Sequence, residues 1–199
     1  MVCSSRIRIR IETLLKMIHY LFPYSTEKNI GGAYNEAIER LKADPDDWIV
    51  IKDGDACFLT PEWGRQIDEV SKTTDFDLIG CVTGRLRSKT QLYKGRFDSV
   101  CNMYMNFDNA REAESLFWGQ VEEVSRIAGM FMMFQYKTWQ KVRFQEGTVK
   151  ADMAFNRNVK SLGGKVGIIK GLYCFHGYRL WERTHHGAMS SFKHLTQKA

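Results

Sequence analysis

Trp48-Ile49-Val50-Ile51 is a run of apolar residues, most of them β-branched, with no polar position on either face. A strand of that kind must be covered on both sides, which makes it a central strand of a parallel or mixed sheet. The flanking sequence supplies covering helices. Upstream, Ala33, Ala37 and Leu41 recur at helical spacing with Tyr34 and Ile38 beside them, predicting a helix over about 32–42 that Asp44-Pro45-Asp46-Asp47 ends. Downstream, Thr60 is suited to an N-cap, Pro61 to the first helical position and Glu62 to the first turn, which predicts a helix with Trp63, Ile67 and Val70 facing inward. Phe76 to Val82 then reads as another strand. The order strand, helix, strand, helix, strand implies right-handed crossovers and a layered α/β fold.

The remaining segments are less regular. Arg6-Ile7-Arg8-Ile9-Arg10-Ile11 alternates as a half-exposed strand would, and Met17 to Phe22 reads as a buried strand ended by Pro23, with a single helix over 12–22 as the competing reading. Thr83 to about Asn106 is polar and aromatic with weak periodicity. A helix is expected over 108–127 with Ala110, Ala113, Leu116 and Phe117 on one side, then a strand over 128–134, whose methionines are core filler. A further helix over 151–162 should stop at Gly163-Gly164, followed by a strand over 165–170 and the segment Gly171 to His176. The expected organisation is an extension over 1–16, a catalytic domain over 17–181 and a polar tail over 182–199.

Composition narrows the classes. A chain of 199 residues with 44% hydrophobic content suits one domain with a sizeable core. No apolar stretch is long enough to span a bilayer and no leader pattern opens the chain. The expectation is a soluble cytoplasmic protein, and an enzyme working peripherally at a membrane would look the same. The net charge of +6 divides into +3 over residues 1–16, +2 over 182–199 and only +1 between them, which argues against a nucleic-acid acceptor. The five cysteines show no zinc or disulfide spacing, and Cys57, Cys81 and Cys174 read as packing residues. Trp118, Trp139 and Trp181 could stack on sugars, although most of them suit a core. A homo-oligomer is compatible with this composition.

The chemistry centres on Asp53-Gly54-Asp55, directly after the buried strand. Two carboxylates aimed into one cleft repel each other unless a cation lies beside them, and a hard divalent ion holding a diphosphate supplies that cation. Gly54 would let the chain turn tightly. An Asp-Gly turn capping its own backbone has the same residues, but ligands of open α/β sheets bind at the carboxyl ends of strands. The loop Lys28-Asn29-Ile30-Gly31-Gly32 and Asn35 offer glycines for close approach of a nucleotide and amides to bond it, with Pro23, Tyr24 and Ser25 at the preceding strand end. A plain Asn/Gly loop would read the same way.

Taken in order, Asn29-Ile30-Gly31-Gly32-Ala33-Tyr34-Asn35, Asp53-Gly54-Asp55, Gly129-Met130-Phe131, Asp152 and Gly171 to Arg179 resemble the landmarks of family 2 glycosyltransferases of the GT-A fold. The resemblance implies an inverting transfer from a nucleotide-diphosphate sugar, UDP- or GDP-linked, to a hydroxyl of a glycan, a lipid-linked or another acceptor, with Mn²⁺ or Mg²⁺. It implies that Asp53 holds the ribose or the ion, that Asp55 and His176 ligate the ion, and that Arg179 pairs with the diphosphate. Asp152 resembles the base that deprotonates the acceptor, with Glu146 as fallback; each of these residues also has a plain structural reading. The front departs from the family, because only Pro23 to Lys28 separates the first strand from the Asn/Gly motif. A nucleotidyltransferase or pyrophosphorylase, or a binding module of the same fold without turnover, are the competing functions.

Overall fold

A computed structural model of the chain describes residues 16–177. The proposed extension (apart from Lys16), the polar tail, Arg179 and Trp181 lie outside these residues. The elements run β1 (Ile18–Leu21), α1 (Ile30–Glu39), β2 (Trp48–Lys52), β3 (Ala56–Phe58), α2 (Trp63–Thr73), β4 (Leu78–Val82), α3 (Met103–Phe117), β5 (Val121–Glu123), β6 (Phe131–Gln135), α4 (Tyr136–Val142), α5 (Ala151–Ser161) and β7 (Val166–His176). The strands form one open mixed sheet in the order β1-β2-β6-β4-β7-β3, with β5 also paired to β7. β1 is parallel to β2 and β4 to β7, while β6 runs antiparallel between β2 and β4. The architecture is therefore α/β, a seven-stranded mixed sheet flanked by helices.

The apolar run of β2 is buried on both faces, as its composition demands. Ile49 and Ile51, with Met132 and Phe134 of β6, face a layer built from Tyr34, Ile38, Trp139, Phe155 and Val159. Trp48 and Val50, with Phe131 and Met133, face Ile67 and Val70 of α2. Period-2 alternation thus sends neighbouring residues into opposite layers. Each large side chain buried this way contributes roughly 1.5–3 kcal/mol relative to exposure.

Several boundaries differ from the sequence reading. α1 begins at Ile30, with Gly31 and Gly32 inside its first turn, and its buried face is Gly31, Tyr34, Asn35 and Ile38 rather than the Ala33, Ala37, Leu41 row. A buried amide on that face rotated the packing stripe away from the purely apolar pattern. α2 starts at Trp63; Thr60 and Pro61 lie in the turn before it, and Glu62 at the N-cap makes no side-chain cap bond. α3 starts early because the Asn102 side chain accepts from Met105 N at 3.1 Å. It stops at Phe117, well before the expected end, and Gly119 adopts φ +65° in the turn that leads to β5. Leu116, expected to face inward, is exposed, as is Cys57, whereas Cys81 and Cys174 are buried. The helix α4 and strand β3 were not anticipated, and β7 continues without a break through Gly171 to His176. The strand at 18–21, the central strand and the stop of α5 at Gly163 follow the expectation.

Among the described residues, no helix is long and apolar enough to cross a membrane.

Candidate metal and acceptor cleft

The site begins where β2 runs out. Asp53 N donates to Met130 O at 3.0 Å, and Ala56 N donates back to Asp53 O at 3.2 Å, closing a turn around Gly54. The chain then returns as β3, which pairs antiparallel with the end of β7 so that Ala56 lies opposite His176. Gly177 N donates to Asp55 O at 2.8 Å and extends that pairing past the strand. This short zipper sets the imidazole over both carboxylates. His176 Nε2 lies 3.7 Å from Asp53 Oδ2 and 3.5 Å from Asp55 Oδ1.

The second ring nitrogen is as informative. His176 Nδ1 is 3.3 Å from the carbonyl oxygen of Arg85. A proton on Nδ1 donates to that carbonyl and leaves the Nε2 lone pair facing the gap between the carboxylates, the tautomer a metal ligand needs. The carbonyl is itself held, since the buried Arg85 guanidinium donates to Asp98 O at 2.9 Å and Ser99 O at 3.1 Å and stacks over Phe97. The ligand atoms of Asp53, Asp55 and His176 all lie within 4.8 Å of one another. Two hard oxygens and one imidazole fit a divalent ion such as Mn²⁺ or Mg²⁺.

Electrostatics follow from the geometry. Burial pushes the Asp53 carboxyl up to about 6, the neighbouring Asp55 and Asp152 charges push the same way, and His176 and Lys52 oppose them. Asp55 is held below the usual carboxylate range by its hydrogen bond with His176. Tyr34, buried on α1, lies on the same cleft as Asp53, and its hydroxyl is pushed far up by burial and by the Asp53 and Asp152 charges.

Asp152 stands in the first turn of α5 and accepts from Gly129 N through Oδ2 at 3.0 Å. Burial raises its carboxyl above the ordinary value. It opens into the same cleft as Asp53 and His176, a cavity of about 610 Å³ whose rim carries Arg87, Arg126 and Lys150. The structure thus brings the proposed metal ligands and the proposed base to one place.

It does not bring the proposed nucleotide-contacting residues there. Tyr24, Ser25, Asn29, Gly32 and Asn35 line a separate cavity of about 460 Å³, together with Glu27, Glu36, Glu39 and Glu146. Four carboxylates make that cavity hostile to a diphosphate. The polar groups in it also serve the fold. Asn29 Oδ1 accepts from Gly32 N at 3.0 Å and from Gly147 N at 2.8 Å, and Ser25 Oγ accepts from Asn29 N at 3.1 Å. Asn35 is fully engaged: Nδ2 donates to Phe144 O and Glu146 Oε1, while Oδ1 accepts from Trp139 Nε1 and Phe144 N. An amide has two donors and two lone pairs, so Asn35 has nothing left for a ligand. Gly31 is explained by packing, since a Cβ there would sit 2.0 Å from Gln145 O. Pro23 lines neither cavity, and Glu146 lines the cavity beside Asn29 and not the cleft that holds Asp152.

Comparison with known proteins finds no family model that matches the chain and no curated protein that matches it. The cleft therefore has to speak for itself. It contains groups to which the sequence reading gave no role in the chemistry, Tyr34, Arg87, Arg126 and Lys150, and the Arg85 carbonyl behind it orients His176. Tyr34 was readable, being one residue from the buried Asn35 in a helix that precedes the central strand. The cations were not, because they come from loops whose spacing has no period.

Proposed function

We propose that the chain is a metal-dependent glycosyltransferase of the GT-A type, moving a sugar with inversion from a nucleotide diphosphate to an acceptor hydroxyl. The observation that carries this reading is the Asp53, Asp55 and His176 triad at the carboxyl end of a central strand, opening into one cleft with Asp152. Asp53, Asp55 and His176 would hold Mn²⁺ or Mg²⁺. When bound, such an ion neutralises the charge that builds on the departing diphosphate.

The chain's own residues account for the remainder of the chemistry. Arg87 and Lys150 form no ion pair within the described residues and line the cleft, placed for charge-assisted bonds to phosphate oxygens. Asp152 takes the proton from the acceptor hydroxyl as its oxygen bonds to the anomeric carbon and the bond from that carbon to the diphosphate oxygen breaks. A carboxyl raised by burial is a stronger base than a free one, which suits Asp152 to that role.

The test is a panel of UDP- and GDP-sugars with Mn²⁺, read by protection of the protein and by slow donor hydrolysis. Asp152→Asn should keep donor protection and lose turnover by about a hundredfold or more. Absence of protection by every donor with either ion overturns the reading. Undiminished biological activity of the same variant would point instead to a binding module.

A further inference from the structure

The cleft continues past Arg126, Ile127 and Met153 into a smaller cavity of about 280 Å³. Its other walls are Ser125, Asn156, Arg157 and Lys160, so it holds three cations and no carboxylate. Some surface cations sit on acidic partners, as Arg40 does on Glu36, Lys72 on Asp68, Lys137 on Asp46 and Lys165 on Asp75. Arg157 and Lys160 form no salt bridge to an acidic side chain among the described residues, while Arg126 is near enough to Asp152 to favour its charged form. Three cations converge on a cavity that no carboxylate lines, and an anion between them relieves their repulsion.

The cavity is built, not a chance meeting of mobile side chains. Asn156 is buried and staples the 125–127 segment to α5: its Oδ1 accepts from Ile127 N at 2.8 Å, and its Nδ2 donates to Ile127 O at 3.0 Å. That fixes the backbone bearing Ser125 and Arg126 against the helix turn bearing Arg157 and Lys160. Asp152 begins the same helix, and Arg157 and Lys160 follow it by roughly 7 to 12 Å along the axis at about 1.5 Å per residue. Arg126, Arg157 and Lys160 converge on this one cavity of about 280 Å³, while Arg87 and Lys150 stand on the neighbouring cleft.

We infer that this cavity is an oxyanion subsite for the acceptor, and that the hydroxyl facing Asp152 belongs to a molecule carrying a phosphate about one sugar unit away. The inference rests on the reading of Asp152 as the acceptor-side base. Recognition would combine the Arg126 and Arg157 guanidinium groups with the Lys160 ammonium, and Ser125 would add a neutral bond.

Inorganic phosphate is the probe, titrated into the metal-free, ¹⁵N-labelled full chain. Saturable shifts should centre on Ser125, Arg126, the Asn156 side chain, Arg157 and Lys160. In the R157A/K160A variant, whose positions are exposed on a helix and accept alanine, the phosphate Kd should rise at least tenfold. Vesicles of phosphatidylcholine with and without phosphatidic acid separate the two sources: binding that needs the acidic lipid and both cations puts the phosphate on a lipid-linked acceptor, and binding of free phosphate alone puts it on a soluble one. Absence of saturable shifts, an unchanged Kd in the variant, or tighter binding of single-stranded RNA over a wider surface overturns the inference. Mn²⁺ titration of the wild-type chain reads the triad separately, so this subsite and the metal reading can fail independently.

Discussion

Two cavities flank α1, and they treat polar groups in opposite ways. In the one beside Tyr24 and Asn29, the amides are spent on the protein, with Asn35 bonding the chain on either side of Phe144 and the Trp139 indole. In the one at the end of β2, carboxylates are left crowded: Asp53 and Asp55 face a common gap, and His176 keeps a ring nitrogen toward it. The first arrangement lowers the energy of the fold. The second costs stability that a bound cation would relieve, as expected of a binding site and not of a core.

The largest effects should come from exchanging damage between the two. Asn35→Ala leaves the Phe144 amide and carbonyl and the Trp139 indole without partners in a buried place, and should cost about 3 kcal/mol or more in urea unfolding. Its Mn²⁺ affinity, measured on the folded fraction, should stay within about twofold. Asp55→Ala should do the reverse, lowering Mn²⁺ affinity by about a hundredfold or more, with a stability change inside about 0.5 kcal/mol. If either variant damaged fold and metal binding equally, the division between the cavities would be wrong.

The same division explains what could be read from the sequence. Trp48-Ile49-Val50-Ile51 announced a central strand because burial on both faces leaves no other home for such a run, and Asp53 and Asp55 stood out because two carboxylates at the carboxyl end of such a strand repel each other, although an Asp-Gly turn has the same residues. His176 was found only as the end of a resemblance; what makes it a partner is the antiparallel register of Ala56 with His176, a pairing between segments 120 residues apart that no local pattern encodes. Asn29 and Asn35 are the converse case, because their bonds to Gly147 and Phe144 come from tertiary packing. An asparagine beside a glycine pair has the same appearance whether its amide turns to solvent or to Phe144, and only tertiary packing decides. The end of α3 was misplaced because Gly119 was outweighed by apolar spacing that continued past it.

A smaller effect sharpens the account of the cleft through pH. Asp53 is raised to about 6 by burial, so the folded protein holds this proton more tightly than the unfolded chain does. Its contribution to stability is therefore full below the unfolded value and lost as the pH climbs through about 6, opposite to a carboxylate that is paired in the fold. Asp55, held low, has that usual sign. At pH 8 the metal-free protein carries an ionised, partly buried Asp53, and Asp53→Asn should raise its melting temperature. Water screens part of that cost, since the Asp53 side chain is 38% exposed. The advantage should shrink as the pH is lowered toward 5, and Mn²⁺ binding to the wild type should weaken over the same interval as proton and ion compete. A melting advantage that does not change with pH would show that Asp53 is not the strained group.

The smallest effect concerns the glycines. Gly54 sits between the two carboxylates and reads in sequence as the residue that permits the turn. Its φ is outside the left-handed region, and a Cβ added to it meets no atom within 4 Å. Gly31 reads as a residue left bare for a nucleotide, yet a Cβ there would collide with the Gln145 carbonyl. Gly31→Ala should therefore destabilise by about 1–3 kcal/mol as the backbone is pushed apart. Gly54→Ala should change stability by no more than about 0.5 kcal/mol, with a slight gain from the stiffer unfolded chain, and leave Mn²⁺ affinity within about threefold. Calorimetric titration of Mn²⁺ into G54A decides the point. A large loss of affinity would mean that the ion-bound turn has a backbone conformation only glycine can reach, and that binding reshapes the loop instead of filling it. Retained affinity would mean that the carboxylates are held in place by β2 and by the β3–β7 pairing on either side of them, and that the residue between them is incidental.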